Sequence, residues 1–153
     1  MTDVAVPRVA VVGAGPAGIV AADRIARALP PLCVDLIDAR PAPAGLLRWF
    51  RTDRVRLLGN VTVGRDVTAA ELASIYDAVL STVPGISGTH ADTAALLDAL
   101  GRVEPTGAGD LAALLDERGL AHTTWTTGPG EAVGGLAEWR ELTRRATGVP
   151  VCV

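Results

Sequence analysis

Three glycines carry the clearest chemical signal in this sequence. Gly13, Gly15 and Gly18 have the spacing G-x-G-x-x-G, after a short apolar run and at the start of an apolar-periodic segment. In such a loop the first glycine allows a tight turn, the second admits a diphosphate to the backbone, and the third lets a helix pack closely. The helix start then offers unpaired N–H groups and a positive dipole end to phosphate oxygens. The pattern predicts a dinucleotide site, and a mere tight turn is the alternative.

An acid follows the glycines at the expected distance. Asp38 lies about 20 residues beyond them, where a carboxylate can accept hydrogen bonds from an adenosine ribose. An acid there favours a free 2′-hydroxyl, as in FAD or NAD, over NADP. The alternative is an ordinary carboxylate at the end of a strand.

The surrounding pattern predicts the elements that place these residues. Residues 9–12 form a continuous apolar run typical of a buried parallel strand. Residues 16–29 have helical apolar spacing, and two prolines at 30 and 31 end that helix. Residues 33–37 predict a second strand. Strand, helix and strand in this order predict a βαβ unit with a parallel pair and a right-handed crossover.

Further elements follow along the chain. Strands are predicted at residues 56–63 and 78–83, and helices at 89–100 and 136–146. Thr68 and Glu71 form a capping-box pattern for a helix that ends near Tyr76. Asp110 is predicted to cap a helix that Gly119 closes. The fold class is therefore α/β: a Rossmann-like core over residues 1–103, with a linker and a short helical tail over 104–153 packed on the same domain.

Composition limits the functional classes. The 153 residues carry a net charge of −3, which argues against general nucleic-acid binding. No apolar stretch approaches the roughly 20 residues that cross a bilayer, and no signal-peptide pattern opens the chain. We therefore expect a cytoplasmic protein without a membrane partner. Cys33 and Cys152 have no metal spacing, and we expect no metal site and no disulfide.

Several linked motifs resemble one family. The segments "VVGAGPAG", "VDLIDARPAPAGLLR", "LLGNVTVGRDVTAAELASIYDAVL" and "GISGT" are similar, in order over about the first 89 residues, to the FAD domain of adrenodoxin-reductase-like ferredoxin–NADP reductases. The resemblance implies FAD as cofactor. It implies contacts with the cofactor from fourteen residues: Gly13, Ala14, Gly15, Pro16, Ala17, Gly18, Asp38, Ala39, Gly45, Leu46, Val61, Gly85, Ile86 and Ser87. Among them the glycine loop would hold the diphosphate, Asp38 the ribose, the Val61 backbone the adenine, and the last three residues the flavin ring.

The sequence also departs from that family. The family continues after "GLLR" into a long flavin-facing segment, and it inserts an NADPH-binding domain between counterparts of "AVLSTVP" and "GISGT". Neither has a counterpart here. The chain resembles an FAD domain without its NADPH domain, so we do not expect NADPH-dependent reductase activity from it alone.

Two functional hypotheses follow. In the first, a minimal FAD-binding protein serves a redox step on a small molecule or with a partner protein. In the second, a repurposed scaffold catalyses a cofactor-free isomerisation, cyclisation or lyase step on a hydrophobic small molecule of specialised metabolism. Trp49, Phe50 and Trp125 are candidates for the wall of a substrate pocket, and core packing is the alternative for each.

Other residues give weaker signals. No catalytic set is identified, and His90 and His122 are more readily explained as structural or surface residues. The arginines at 48, 51, 54 and 56 form either a solvated loop that balances nearby acids or a local anion site. Uncovered apolar faces and sheet edges predict a homodimer.

Overall fold

The computed structural model describes residues 7–28, 32–40, 54–86, 89–90, 92–102, 104–105 and 109–126. These residues form a mixed α/β fold. The strands are β1 (Arg8–Val12), β2 (Cys33–Ile37), β3 (Val55–Gly59), β4 (Ala78–Ser81) and β5 (Thr123–Thr126), and the helices are α1 (Pro16–Ala28), α2 (Ala69–Ile75), α3 (Thr93–Leu100) and α4 (Leu111–Glu117).

The sheet has the strand order of a doubly wound fold. Its five strands run β4-β1-β2-β3-β5. The pairs of β1 with β2, β1 with β4 and β2 with β3 are parallel, while β5 joins β3 antiparallel. The chain order reverses between β1 and β4. In open α/β sheets ligands bind in the crevice at such a switch point, beyond the carboxyl ends of the strands.

Two apolar layers cover the two faces of the sheet. On one face α1 and α3 pack over alternate residues of β1 to β4, with fully buried side chains that include Val9, Ile25, Leu36 and Leu96. On the other face α2 and α4 pack over the residues between, with a core that includes Ile37, Leu58, Leu72, Leu111 and Leu115. The fold class predicted from the sequence is confirmed. The sheet is sandwiched because its parallel strands are apolar on both faces.

Local sequence signals give most of the element boundaries. The predicted βαβ unit is present, and α1 ends one residue before the predicted helix does. At Thr68 the capping box forms, with the Glu71 N–H donating to Thr68 Oγ1 (3.1 Å) and the Thr68 N–H donating to Glu71 Oε1 (3.0 Å). Asp110 caps α4 by accepting a hydrogen bond from the N–H of Ala112.

Three predicted boundaries are wrong. The strand predicted at residues 56–63 ends at Gly59, because Asn60 adopts a positive φ of 61° and turns the chain out of the sheet. The strand predicted at 78–83 ends at Ser81. The helix predicted at 89–100 begins at Thr93, where the Asp92 side chain caps it by accepting from the N–H of Ala95 (2.8 Å).

The part of the chain after residue 104 contributes to the same sheet and core. Leu111 and Leu115 of α4 are fully buried under the sheet. The short strand β5, which the sequence pattern does not predict, extends the sheet beyond β3. The predicted helix at 136–146 lies outside the described residues.

Candidate functional site

The glycine loop follows β1 at the switch point of the sheet, next to β4. Gly13 has a φ of 101°, and its N–H donates to the carbonyl of Ile37 (2.7 Å). A Cβ at Gly13 would lie 2.2 Å from Oγ1 of Thr82, which donates to the carbonyl of Val12 (2.9 Å). Both backbone conformation and space therefore require glycine at the first position of the fingerprint.

The other two glycines differ in what surrounds them. A Cβ at Gly18 would lie 1.7 Å from the carbonyl oxygen of Gly13, so this glycine allows α1 to pack against the loop. A Cβ at Gly15 would meet no atom of the described residues within 4 Å. Gly15 thus borders open space at the start of α1, where the absence of a side chain leaves room for a ligand to approach the backbone.

The start of α1 makes the open space beside Gly15 electrostatically favourable for an anion. Pro16 and Ala17 open the helix and are exposed, and the N–H of Ile19 donates to the carbonyl of Gly15 (3.0 Å). The N–H groups of Ala17 and Gly18 belong to the first turn, which a helix leaves without intrahelical acceptors. An oxyanion held beside Gly15 would therefore face donors and the positive end of the helix dipole.

Asp38 lies beside this loop, where β2 ends. Its Oδ2 accepts a hydrogen bond from the N–H of Ala14 (2.6 Å), and its Oδ1 accepts one from the N–H of Arg40 (2.8 Å). Burial raises the pKa of the Asp38 carboxyl, but hydrogen bonds from the Arg40 side chain and from the N–H groups of Arg40 and Ala14 outweigh this effect and lower the pKa. Asp38 is therefore ionised, and it ties the loop to the end of β2.

The side chain of Arg40 binds the Asp38 carboxylate. The sequence analysis did not predict this contact. Its Nε lies 3.2 Å from Asp38 Oδ1, and its Nη2 lies 3.4 Å from both Asp38 Oδ2 and the carbonyl oxygen of Ala14. The signal available in the sequence was the spacing D-x-R at the end of a strand.

The remaining predicted cofactor residues lie around the same end of the sheet where they are described. Val61 is buried, and its N–H is used within the fold, where it donates to the carbonyl of Asp38 (2.9 Å). Ala39 and Gly85 are exposed, and Ile86 packs against the core under α2 and α4. Their contacts with a cofactor stay predictions.

Some predicted residues cannot be placed. Gly45, Leu46, Trp49, Phe50 and Ser87 lie outside the described residues. The backbone of Trp125 lies in β5, opposite Leu57 of β3, and its side chain is not among those described. The pocket predicted from the aromatic residues therefore stays a prediction.

The described arginines of the predicted cluster face inward. Arg54 Nη2 donates to the carbonyl of Ala26 (2.6 Å), and Arg56 binds Asp35 through Nε (2.9 Å) and Nη2 (2.7 Å). Arg56 thus balances nearby acids, as one of the two alternatives predicts, and the anion site stays a prediction. Arg56 lies in a strand and not in a solvated loop, and Arg48 and Arg51 lie outside the described residues.

A buried polar network around Asp35 was missed by the sequence analysis. Asp35 is only 7% exposed in β2, opposite Arg56 in register, and it also accepts a 2.6 Å hydrogen bond from the Tyr76 hydroxyl. Arg56 Nη2 reaches on to Asp110 Oδ1 (2.9 Å). The available signal was an acid inside the apolar strand "CVDLI". The network fastens the end of α2 and the start of α4 to the sheet.

The two histidines do not form a catalytic set with other described residues. His122 Nε2 lies 2.9 Å from Asp116 Oδ1, and the N–H of His90 donates to the carbonyl of Val79. Among the described residues no group of three or more His, Cys, Asp or Glu side chains could hold a metal ion. No helix within those residues is long and apolar enough to span a membrane.

A groove also lies between α2 and α4. It has a volume of about 380 Å³ and is lined by Glu71, Ser74, Ile75, Gly109, Asp110, Ala113, Leu114 and Glu117. It shares no residue with the glycine loop. The candidate site is the glycine loop, because it combines open space beside Gly15 with the start of α1 at the switch point of the sheet.

Comparisons with known proteins agree with this geometry. Residues 11–72 match the family described as an NAD(P)-binding Rossmann-like domain. The chain is 35% identical to the mitochondrial NADPH:adrenodoxin oxidoreductase of Drosophila melanogaster, over 49% of this chain and 20% of that protein. It is 34% identical to the Bos taurus protein of the same name, over 48% of this chain and 19% of that protein.

About half of this chain is homologous to NADPH:adrenodoxin oxidoreductases. The chain spans about a fifth of the length of these reductases. A solved structure of FprA, an oxidoreductase of Mycobacterium tuberculosis, matches 51% of this chain and 23% of that chain, with 29% identity and a TM-score of 0.43. The resemblance predicted from the motifs is confirmed by the homology to these reductases. Residues 11–72, which match the Rossmann-like family, include the fingerprint and Asp38.

Proposed function

We propose that this chain binds FAD through its ADP half in the crevice between β1 and β4, and that it serves a redox step. The observation that carries the proposal is the open space beside Gly15, at the N-terminal end of a 13-residue helix and at the switch point of the sheet. A cradle without side chains beside unpaired N–H groups suits a diphosphate.

Each described residue of the site would have a separate task. Gly15 admits the diphosphate to the main chain, and the first turn of α1 donates hydrogen bonds to it. Asp38 offers a carboxylate to the ribose at the end of β2. Gly13 and Gly18 set the shape of the loop, because neither position has room for a Cβ.

A flavin, when bound, supplies two-electron and one-electron chemistry, and the protein supplies its placement. The homologous proteins are named oxidoreductases, which supports a redox role and gives no support to a cofactor-free isomerase or lyase. Within these 153 residues the sequence contains one glycine fingerprint. We therefore propose that the electrons come from a small molecule or a partner protein, and that NADPH alone does not reduce the flavin.

Titration with FAD tests this proposal. The wild-type chain should quench flavin fluorescence on titration, and Gly15→Val should weaken the affinity at least tenfold, because its side chain fills the cradle. Gly101→Ala is the matched control: a Cβ at Gly101 meets only ordinary contacts, the nearest at 3.5 Å. A wild-type chain that binds no FAD, or equal affinity in Gly15→Val and wild type, would contradict the proposal.

The redox role is tested on the FAD complex. Addition of NADPH should leave the yellow absorbance of the bound flavin unchanged, whereas dithionite should bleach it. Bleaching by NADPH alone would show that the chain carries a nicotinamide site and would overturn the proposed electron route.

A further inference from the structure

We propose that Thr82 is a positioning residue for the diphosphate, because its hydroxyl holds the glycine loop in its binding arrangement before any ligand arrives. Thr82 lies just after β4 and outside the fingerprint. The inference rests on the proposed function, because it concerns the same site.

The peptide group between Val12 and Gly13, where the loop begins, is held from two neighbouring strands. On the side of β4, the Val12 carbonyl accepts hydrogen bonds from both the N–H (2.9 Å) and the hydroxyl (2.9 Å) of Thr82. On the side of β2, the Gly13 N–H donates to the carbonyl of Ile37 (2.7 Å). Because a peptide group is planar, it cannot rotate without loss of these bonds.

The Thr82 hydroxyl also occupies the space that two glycines leave. Its oxygen lies 2.2 Å from the position of a Cβ at Gly13 and 3.6 Å from the position of a Cβ at Gly18. Cγ2 of Val83 lies 3.1 Å from the same position at Gly13. The hydroxyl therefore lies between the start of the loop and the first turn of α1, and it can hold both in place.

A turn after β4 sets the position of Thr82. The Ser81 hydroxyl donates to the carbonyl of Val83 (2.8 Å) and accepts from its N–H (3.1 Å), and Ser81 is opposite Val12 in register. Thr82 itself is exposed. An exposed hydroxyl that bonds inward exchanges a hydrogen bond to water for one to the protein, so its net contribution to folding is small. We infer that its main effect is on the arrangement of the loop.

A loop that is already in its binding arrangement lowers the cost of ordering when a ligand binds. When the loop holds that arrangement for only part of the time, the apparent affinity falls by the same fraction. The part of the ligand that lies against the loop is the diphosphate. The loss should therefore be equal for FAD and for ADP, which share it.

Titrations of the full chain with FAD, followed by flavin fluorescence, and with ADP, followed by calorimetry, test the inference. Thr82→Val removes the hydroxyl and sets a methyl group against the Val12 carbonyl, and it should weaken both affinities about two- to tenfold. Thr82→Ser keeps the hydroxyl and should bind both ligands as wild type does. Thr124→Val is the matched control, because Thr124 is exposed in β5, three strands from β1, and it should change neither affinity.

Amide hydrogen exchange of the ligand-free chain separates positioning from direct contact with a ligand. In Thr82→Val the amides of Gly13 and Ala14, which donate to Ile37 and Asp38, should exchange faster than in wild type and in Thr124→Val. Thermal unfolding shows which variants are folded at the temperature of the titrations. If Thr82→Val is not folded, Thr82→Ala, which removes the hydroxyl without an added methyl group, takes its place.

Four results would overturn the inference and leave the proposed FAD site standing: wild-type affinities in Thr82→Val, a loss for FAD without an equal loss for ADP, no rescue by Thr82→Ser, or weaker binding with unchanged exchange in the ligand-free loop. Failure of the wild-type chain to bind both FAD and ADP would overturn the proposed function and the inference with it.

Discussion

The three glycines of the fingerprint differ in what the surrounding structure requires of them. Gly13 combines a φ of 101° with a close approach to Thr82, and Gly18 lies against the carbonyl of Gly13. Gly15 meets neither restriction among the described residues. Folding therefore explains the first and third glycines, whereas no packing requirement among the described residues explains the second. The sequence spacing identifies all three residues but does not distinguish these roles.

This difference predicts a large loss of stability when alanine replaces Gly18 and a small effect when alanine replaces Gly15. Gly18→Ala should lower the free energy of unfolding by about 1–3 kcal/mol, because a Cβ 1.7 Å from the Gly13 oxygen forces α1 away from the loop. Gly15→Ala should change it by less than about 0.5 kcal/mol. Urea denaturation followed by circular dichroism measures both. Equal losses in the two variants would show that Gly15 is also a packing position.

At the scale of elements, the sequence predicts features that depend on neighbouring residues but not those that depend on long-range contacts. The βαβ unit, the capping box at Thr68 and the cap at Asp110 depend on residues close in sequence, and the pattern predicts them correctly. The end of β3 depends on the backbone of Asn60, whose side chain donates to the carbonyl of Ala121 (2.7 Å). That contact spans 61 residues, so no local pattern contains it.

The network around Asp35 likewise joins elements that are far apart in the chain. Tyr76 is the C-cap residue of α2, and Asp110 is the N-cap residue of α4. Their partners Asp35 and Arg56 lie in β2 and β3. The sequence places each residue in an element correctly but contains no sign that they meet.

Removal of one hydroxyl tests this network. Tyr76→Phe should lower the free energy of unfolding by about 1.5–3 kcal/mol, because Tyr76 is only 3% exposed and the lost hydrogen bond serves a buried carboxylate. Ser74→Ala removes an exposed hydroxyl from α2 that donates to the carbonyl of Glu71, and it should cost less than about 0.5 kcal/mol. Chemical denaturation measures both, and a Tyr76→Phe loss no larger than that of the control would contradict the role of the network.

For the whole molecule, the homodimer predicted from the sequence stays a prediction. Within the described sheet β4 and β5 are the edge strands, and Val83, just after β4, is 44% exposed. Edge strands offer unpaired backbone groups to a second copy. Light scattering at micromolar concentration should give the mass of a dimer, and a monomer would contradict the prediction.

Stability of the whole molecule should depend on pH at both ends of the range. Hydrogen bonds from Arg118 lower the pKa of Glu71, and those from Arg65 lower the pKa of Asp66. Burial raises the pKa of Asp110, but its hydrogen bond with Arg56 outweighs this effect and lowers it. With Asp38, these carboxyls bind fewer protons when folded than unfolded. Their contribution is present above the unfolded pKa of about 4 and is lost as the pH falls through the folded values.

The loss of folding stability at alkaline pH has one main source. Burial and the neighbouring Asp35 carboxylate raise the pKa of the Tyr76 hydroxyl, so the folded chain keeps a proton that the unfolded chain loses near pH 10. Stability is therefore lost as the pH rises above about 10. The sequence contains one tyrosine and no lysine, so Tyr76→Phe should flatten this limb of the melting temperature against pH and leave the acid limb in place. An unchanged alkaline slope in Tyr76→Phe would show that another group controls it.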